Sequence, residues 1–164
     1  MYDMLVREMI ERNVTMNEKQ QTLSKLAGGA IERLKQLPQP VVRLSGPLTT
    51  SAYGYEDNLR RFLKGQDILR EKGYTVFDYF EGHNDEDVIK DLNLPWSEVM
   101  KYYHRPIMAT GLIRGAFFLP RWERSNGATS EHEYAKEIDL EIYDFPEEWF
   151  LDDLQGHNLT LVDK

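Results

Sequence analysis

Four short apolar runs, each separated from the next by a stretch of helical periodicity, constrain the fold of this chain most. Residues 41–44, 74–80, 112–119 and 141–143 are rich in aliphatic, β-branched and aromatic side chains, and runs of this length between turn residues read as strands. After the first of them, residues 55–72 set Leu59, Phe62, Leu63, Ile68 and Leu69 on one face of an amphipathic helix that Gly73 ends. Residues 85–110 read as helical with a break at Leu94-Pro95, because the residue before a proline is steered away from helical geometry. A last helix follows the third strand, with Glu131 in or near its first turns. Strands alternating with helices in this way make parallel neighbours, since each crossover has to carry the chain back along the sheet. The expected fold class is α/β: a Rossmann-like three-layer fold with a mainly parallel sheet of about four or five strands.

The flanks differ from this pattern. Residues 1–38 are rich in helix formers and predict a helical N-terminal arm of two helices. A break is expected at Asn13-Val14-Thr15, a cap at Thr15 or Asn17, and a stop at Pro38-Gln39-Pro40. Gly28-Gly29 either weakens the second helix or admits another backbone. The arm is expected to pack on the core or on a partner subunit. Residues 39–145 form the α/β domain, and residues 146–164 form an acidic tail whose Trp149, Phe150, Leu151 and Leu154 call for a docking surface.

Composition excludes several classes of function. With 164 residues and 41% hydrophobic content, one ordinary domain with appendages is expected. The absence of cysteine removes disulfides, thiolate chemistry and cysteine-ligated zinc, and with it the zinc deaminases that act on nucleotides. A net charge of -8 argues against a partner that is a nucleic-acid polymer, although a small phosphate held by a few arginines is compatible. No segment approaches the roughly 20 apolar residues of a membrane span, so no membrane partner and a cytoplasmic location are expected. His132 and Glu133 are adjacent and lack a second histidine one turn away. Neither a metal nor a cofactor is therefore expected.

In an open parallel sheet, ligands sit beyond the carboxyl ends of the strands. Three turns qualify, at residues 45–55, 81–85 and 121–130. The first and third each contain a glycine, and Ser45, Thr49, Thr50, Ser51 and Ser125 supply hydroxyls, which makes an anion cradle. Taken singly, Ser-Gly-Pro and Ser-Asn-Gly are also ordinary turn chemistry. No G-x-G-x-x-G follows the first strand, so the usual dinucleotide fingerprint is missing.

Residues 119–135 follow the pattern L-P-x-W-x-x-S-x-G-A-x-x-E-x-x-x-A, and upstream the first strand ends in Ser45-Gly46-Pro47. Together these motifs resemble the nucleoside 2-deoxyribosyltransferase superfamily, in particular its small, often phage-encoded branch, over residues 41–143. The resemblance implies cleavage or transfer at the N-glycosidic bond of a nucleoside or nucleotide, with Glu131 as nucleophile on the anomeric carbon. Glu131 in an early helical turn is also what the helix dipole alone favours. Serine at Ser125, where transferases of free nucleosides carry aspartate, implies a (deoxy)nucleoside 5′-monophosphate as the substrate. Ser45, Gly46, Pro47, Trp122, Ser125, Gly127 and Ala128 would then form its pocket, and Tyr53 or Tyr55 would hydrogen-bond the nucleophile. A homodimer or higher homo-oligomer is implied as well.

The chain departs from that pattern at three positions. Arg121 stands where the branch has glycine, Arg114 where an aspartate opens the third strand, and Pro106 where a second acidic residue is expected. His104, Glu81, Asp85 or Asp87 are the substitutes for that second acid, and Arg105, Arg114 or Arg121 could add contacts to the phosphate. Trp96, Tyr102 and Tyr103 either wall a base pocket or fill the core. A catalytically weak nucleotide-binding protein is the alternative function, and an α/β assembly module without a small ligand is the third. The base, the presence of a 2′-hydroxyl and the acceptor, water or a second base, stay open.

Overall fold

Every strand of the sheet runs in the same direction, so each connection is a crossover and both faces are covered by helices. The computed structural model describes residues 2–48, 54–78 and 85–151. Strands β1 (Val41–Ser45), β2 (Thr75–Val76), β3 (Ile113–Phe118) and β4 (Glu141–Asp144) lie in the order β2-β1-β3-β4. All three pairings are parallel, with Val42 opposite Val76, Ser45 opposite Phe118, and Phe118 opposite Asp144. The β2 pairing continues one residue further, where Phe77 N–H donates to the Val42 carbonyl at 2.9 Å. Helix α2 (Gly54–Glu71) joins β1 to β2. Helix α3 (Asp85–Leu92) and a second helical stretch, α4 (Trp96–Val99), a π turn (Met100–His104) and α5 (Arg105–Met108), lead to β3. Helix α6 (Asn126–Glu137) joins β3 to β4. The expected α/β class holds, with four strands among the described residues.

The period-2 alternation of β1 sorts its side chains between two cores. Val42 and Leu44 pack with Phe62, Ile68 and Leu69 of α2 on one face. Val41 packs on the other with Ile89 of α3 and Tyr103 and Ile107 of the following helix. Gly115 in β3 lets β4 lie close, because a Cβ there would stand 2.9 Å from Tyr143 and 3.1 Å from the Glu141 carbonyl oxygen.

The N-terminal segment corrects one expectation. It is a single helix, α1 (Tyr2–Lys35), with no break at residues 13–15. Asn13, Val14 and Thr15 are weak helix formers, but none removes a backbone donor as proline does, and the helix runs on through them. Leu23, Ala27, Ala30 and Leu34 are buried against the Val41 face, so the second half of α1 belongs to the core. Among the described residues no other backbone approaches Gly28 or Gly29.

After β4 the chain turns onto the α2 face. Trp149 and Phe150 pack beside Phe145, with Lys72 4.4 Å from the Trp149 ring centre and Arg61 4.3 Å from that of Phe150. Trp149 and Phe150 thus dock on their own domain, whereas Leu151 is exposed and Leu154 lies outside the described residues. No described helix is long and apolar enough to cross a membrane.

Candidate functional site

Crossovers leave β1 and β3 toward opposite edges of the sheet, so a crevice opens between their carboxyl ends, where open parallel sheets bind ligands. Two segments meet there. β1 delivers Arg43 and Ser45, two residues apart and therefore on the same face. After β3 the chain makes a 3-10 turn at Trp122–Arg124 and starts α6 with Ser125 as its cap. The Ser125 Oγ accepts from the Ala128 amide at 3.2 Å, which fixes the start of the helix. Gly127 and Glu131 then fall four residues apart on one face, about 6 Å along the axis.

A cavity of about 400 Å³ opens between these segments, within the range of small-molecule sites. Ser45 and Gly46 from the β1 turn and Ser125, Asn126 and Gly127 from the α6 start line one part of it. Phe62, Phe77, Ile89, Leu94 and Trp96 line an apolar part, with Glu86, Lys90 and Asn93 adding polar groups. Asn58 of α2 ties down the β1 turn by donating to the Leu48 carbonyl at 3.0 Å. Gly127 packs closely on Trp96, since a Cβ there would come within 3.1 Å of the ring.

Glu131 lies on the cavity wall, 6% exposed, with both carboxylate oxygens engaged. Arg43 Nη2 donates to Oε1 at 3.1 Å, and Ser45 Oγ donates to Oε2. His104 stands behind them, its Nδ1 3.5 Å from Glu131 Oε1 and 3.4 Å from Arg43 Nη2. Burial, reinforced by the Arg43 charge, pushes the His104 imidazole well below its ordinary pKa, so the ring is neutral. The π turn brings His104 here. Its wider winding lets the neighbours Tyr103 and His104 both face inward, at 0% and 1% exposure.

Of the residues expected at a site, Glu131, Ser45, Gly46, Ser125, Gly127 and Ala128 line one cavity. Ser45 bonds Glu131, a partner not foreseen for it. Trp96 lines the cavity, whereas Tyr103 is core and donates to Asp85 at 2.9 Å. Tyr53, Thr49, Thr50, Ser51 and Glu81 lie outside the described residues. Tyr55 serves Lys90, whose ammonium sits 3.7 Å from its ring centre and is raised in pKa chiefly by their hydrogen bond. No hydrogen bond joins Tyr55 to Glu131 among the described residues. His104 contacts Glu131 without lining the cavity, and Pro47 does not line it either.

Trp122 turns away from the cavity to stack on His132, with ring centres 4.0 Å apart. Arg121 also lies off the cavity, in the left-handed region at φ 70°, a conformation that glycine adopts freely. Arg114 pairs with Glu141 at 3.3 Å on the exposed surface and Arg105 lies over Tyr134, so neither supplies the cation of the site. Asp85 is a structural acid held by Arg33 at 2.9 Å and by Tyr103, and Asp87 does not line the cavity. The residue that sequence reasoning passed over is Arg43. Its signal was a lone charge inside a strand otherwise fit for burial on both faces. Among the described residues no group of three or more His, Cys, Asp or Glu is placed to hold a metal ion.

A family model described as Domain of unknown function (DUF4406) matches residues 40–144. Comparison with curated proteins and with solved structures gives no match.

Proposed function

Because the chain belongs to the DUF4406 family, whose description assigns no chemistry, we propose from the site itself that it cleaves the N-glycosidic bond of a nucleoside 5′-monophosphate. The observation that carries this reading is the position of Glu131. It faces a cavity about one helical turn from the α6 N-terminus, where amides and the Ser125 hydroxyl favour a phosphate. The motif likeness to nucleoside 2-deoxyribosyltransferases supports the same assignment.

In this reading the phosphate binds between Gly46 and the first turn of α6, and the base lies against Trp96 and Ile89. A Glu131 oxygen attacks the anomeric carbon; the C–N bond breaks and its electron pair leaves with the base, which takes a proton from solvent. Water then attacks the same carbon, releasing the sugar phosphate and restoring the carboxylate. A second base in place of water gives transfer. Ser45 and Arg43 hold the carboxylate in one orientation, a gain in geometry bought against some loss of nucleophilicity from the Arg43 charge.

The test is release of free base from a panel of nucleoside monophosphates. Glu131→Gln is expected to lower release by at least about 1,000-fold while changing the dissociation constant for the nucleotide by less than about tenfold. Release at the wild-type rate would remove Glu131 as nucleophile. The second reading, a protein that binds a nucleotide with little turnover, is favoured by the engagement of both Glu131 oxygens. Calorimetric binding without base release would select it. The homodimer also stays a proposal, resting on the resemblance, and sedimentation as a monomer at micromolar concentration would refute it.

A further inference from the structure

Arg43 is 6% exposed, lies on the cavity wall, and is only partly matched by its neighbours. Its Nη2 reaches Glu131 at 3.1 Å and His104 at 3.4 Å. Its Nε is buried and has no hydrogen-bond partner among the described residues. Buried donors of a charged group are rarely left unmatched, because desolvation is then uncompensated. His104 is neutral and adds no negative charge to the pair. Arg43 also lines the cavity, where an oxygen acceptor of a ligand would complete its hydrogen bonding.

The geometry points to Arg43 as the residue that selects a ribonucleotide over its 2′-deoxy counterpart, by donating to the ligand's 2′-hydroxyl. This rests on the glycosidase reading: if Glu131 faces the anomeric carbon, the next ring carbon and its hydroxyl lie beside the same carboxylate. Arg43 already holds one oxygen of that carboxylate. Hydrogen bonds to this hydroxyl are also the ones that strengthen as the anomeric centre becomes oxocarbenium-like. A deoxy sugar offers no acceptor there and leaves the guanidinium underused. Sites built to bond a hydroxyl reject the analogue that lacks it.

The experiment is calorimetric titration of paired ribo- and 2′-deoxyribonucleoside 5′-monophosphates into the full chain, with free base measured in the same samples. The wild-type protein is expected to bind the ribo form about 10- to 100-fold tighter, the yield of one hydrogen bond from a charged donor. Arg43→Lys keeps a cation beside Glu131 but loses the planar fork, and is expected to shrink the preference below about threefold. Circular dichroism checks that this variant folds. Equal or deoxy-preferring binding by the wild-type protein overturns the inference whatever the variant does, and an unchanged preference in a folded Arg43→Lys overturns it too. Ribose-selective binding without base release leaves the role of Arg43 standing and removes the glycosidase reading. If no monophosphate binds, both fall.

Discussion

His104 ties the chemistry of single residues to pH. In the unfolded chain it takes up a proton near its ordinary value of about 6.5, whereas in the folded protein burial first, and the Arg43 charge second, hold it neutral well below that value. Below about pH 6.5 the unfolded chain therefore binds more protons than the native one. This group's contribution is constant above that pH and falls as the solution is acidified, by up to about 1.4 kcal/mol per pH unit. Chemical denaturation of the wild-type protein and of His104→Gln between pH 7.5 and 5.5 checks this. The wild-type protein should lose more stability, and parallel curves would show that His104 does not set the slope. At this scale the sequence was legible where turn chemistry is local, as at Ser125, Gly127 and Glu131. It was not legible where a partner is distant: Arg43 meets Glu131 across 88 positions, and no spacing rule connects a strand interior to a helix that far away.

At the scale of elements, α1 illustrates how packing decides what periodicity leaves open. Its buried Leu23, Ala27, Ala30 and Leu34 follow a spacing of three and four residues, and the stripe meets Tyr103 and Ile107. Leu34→Ala is expected to cost about 2–5 kcal/mol in denaturant unfolding, and a loss under about 1 kcal/mol would mean that α1 is only an appendage. The four strands and their alternation with helices could be read from the sequence because hydrophobic periodicity is a local property. The unbroken course of α1 could not, since weak helix formers at residues 13–15 give way to tertiary context. The π turn was hidden for a similar reason, as its extra residue shows only when both Tyr103 and His104 find buried partners.

The whole molecule carries a net charge of -8, yet its candidate site collects amide donors, hydroxyls and one buried guanidinium. Anion binding should accordingly be a local effect that works against the general field. A nucleoside monophosphate present at about 100 times its dissociation constant is expected to stabilise the fold by about 2.7 kcal/mol, read as a rise in melting temperature. An unchanged melting temperature across the panel would argue that the cavity takes no such ligand. The buried pair of Arg43 and Glu131 has one further consequence. The two charges come from β1 and α6, so any partial opening that parts these elements strands both ions in greasy surroundings with nothing to neutralise them. Half-open forms are thereby made scarce, and the pocket and the sheet should melt together, at one midpoint, by whichever probe they are followed.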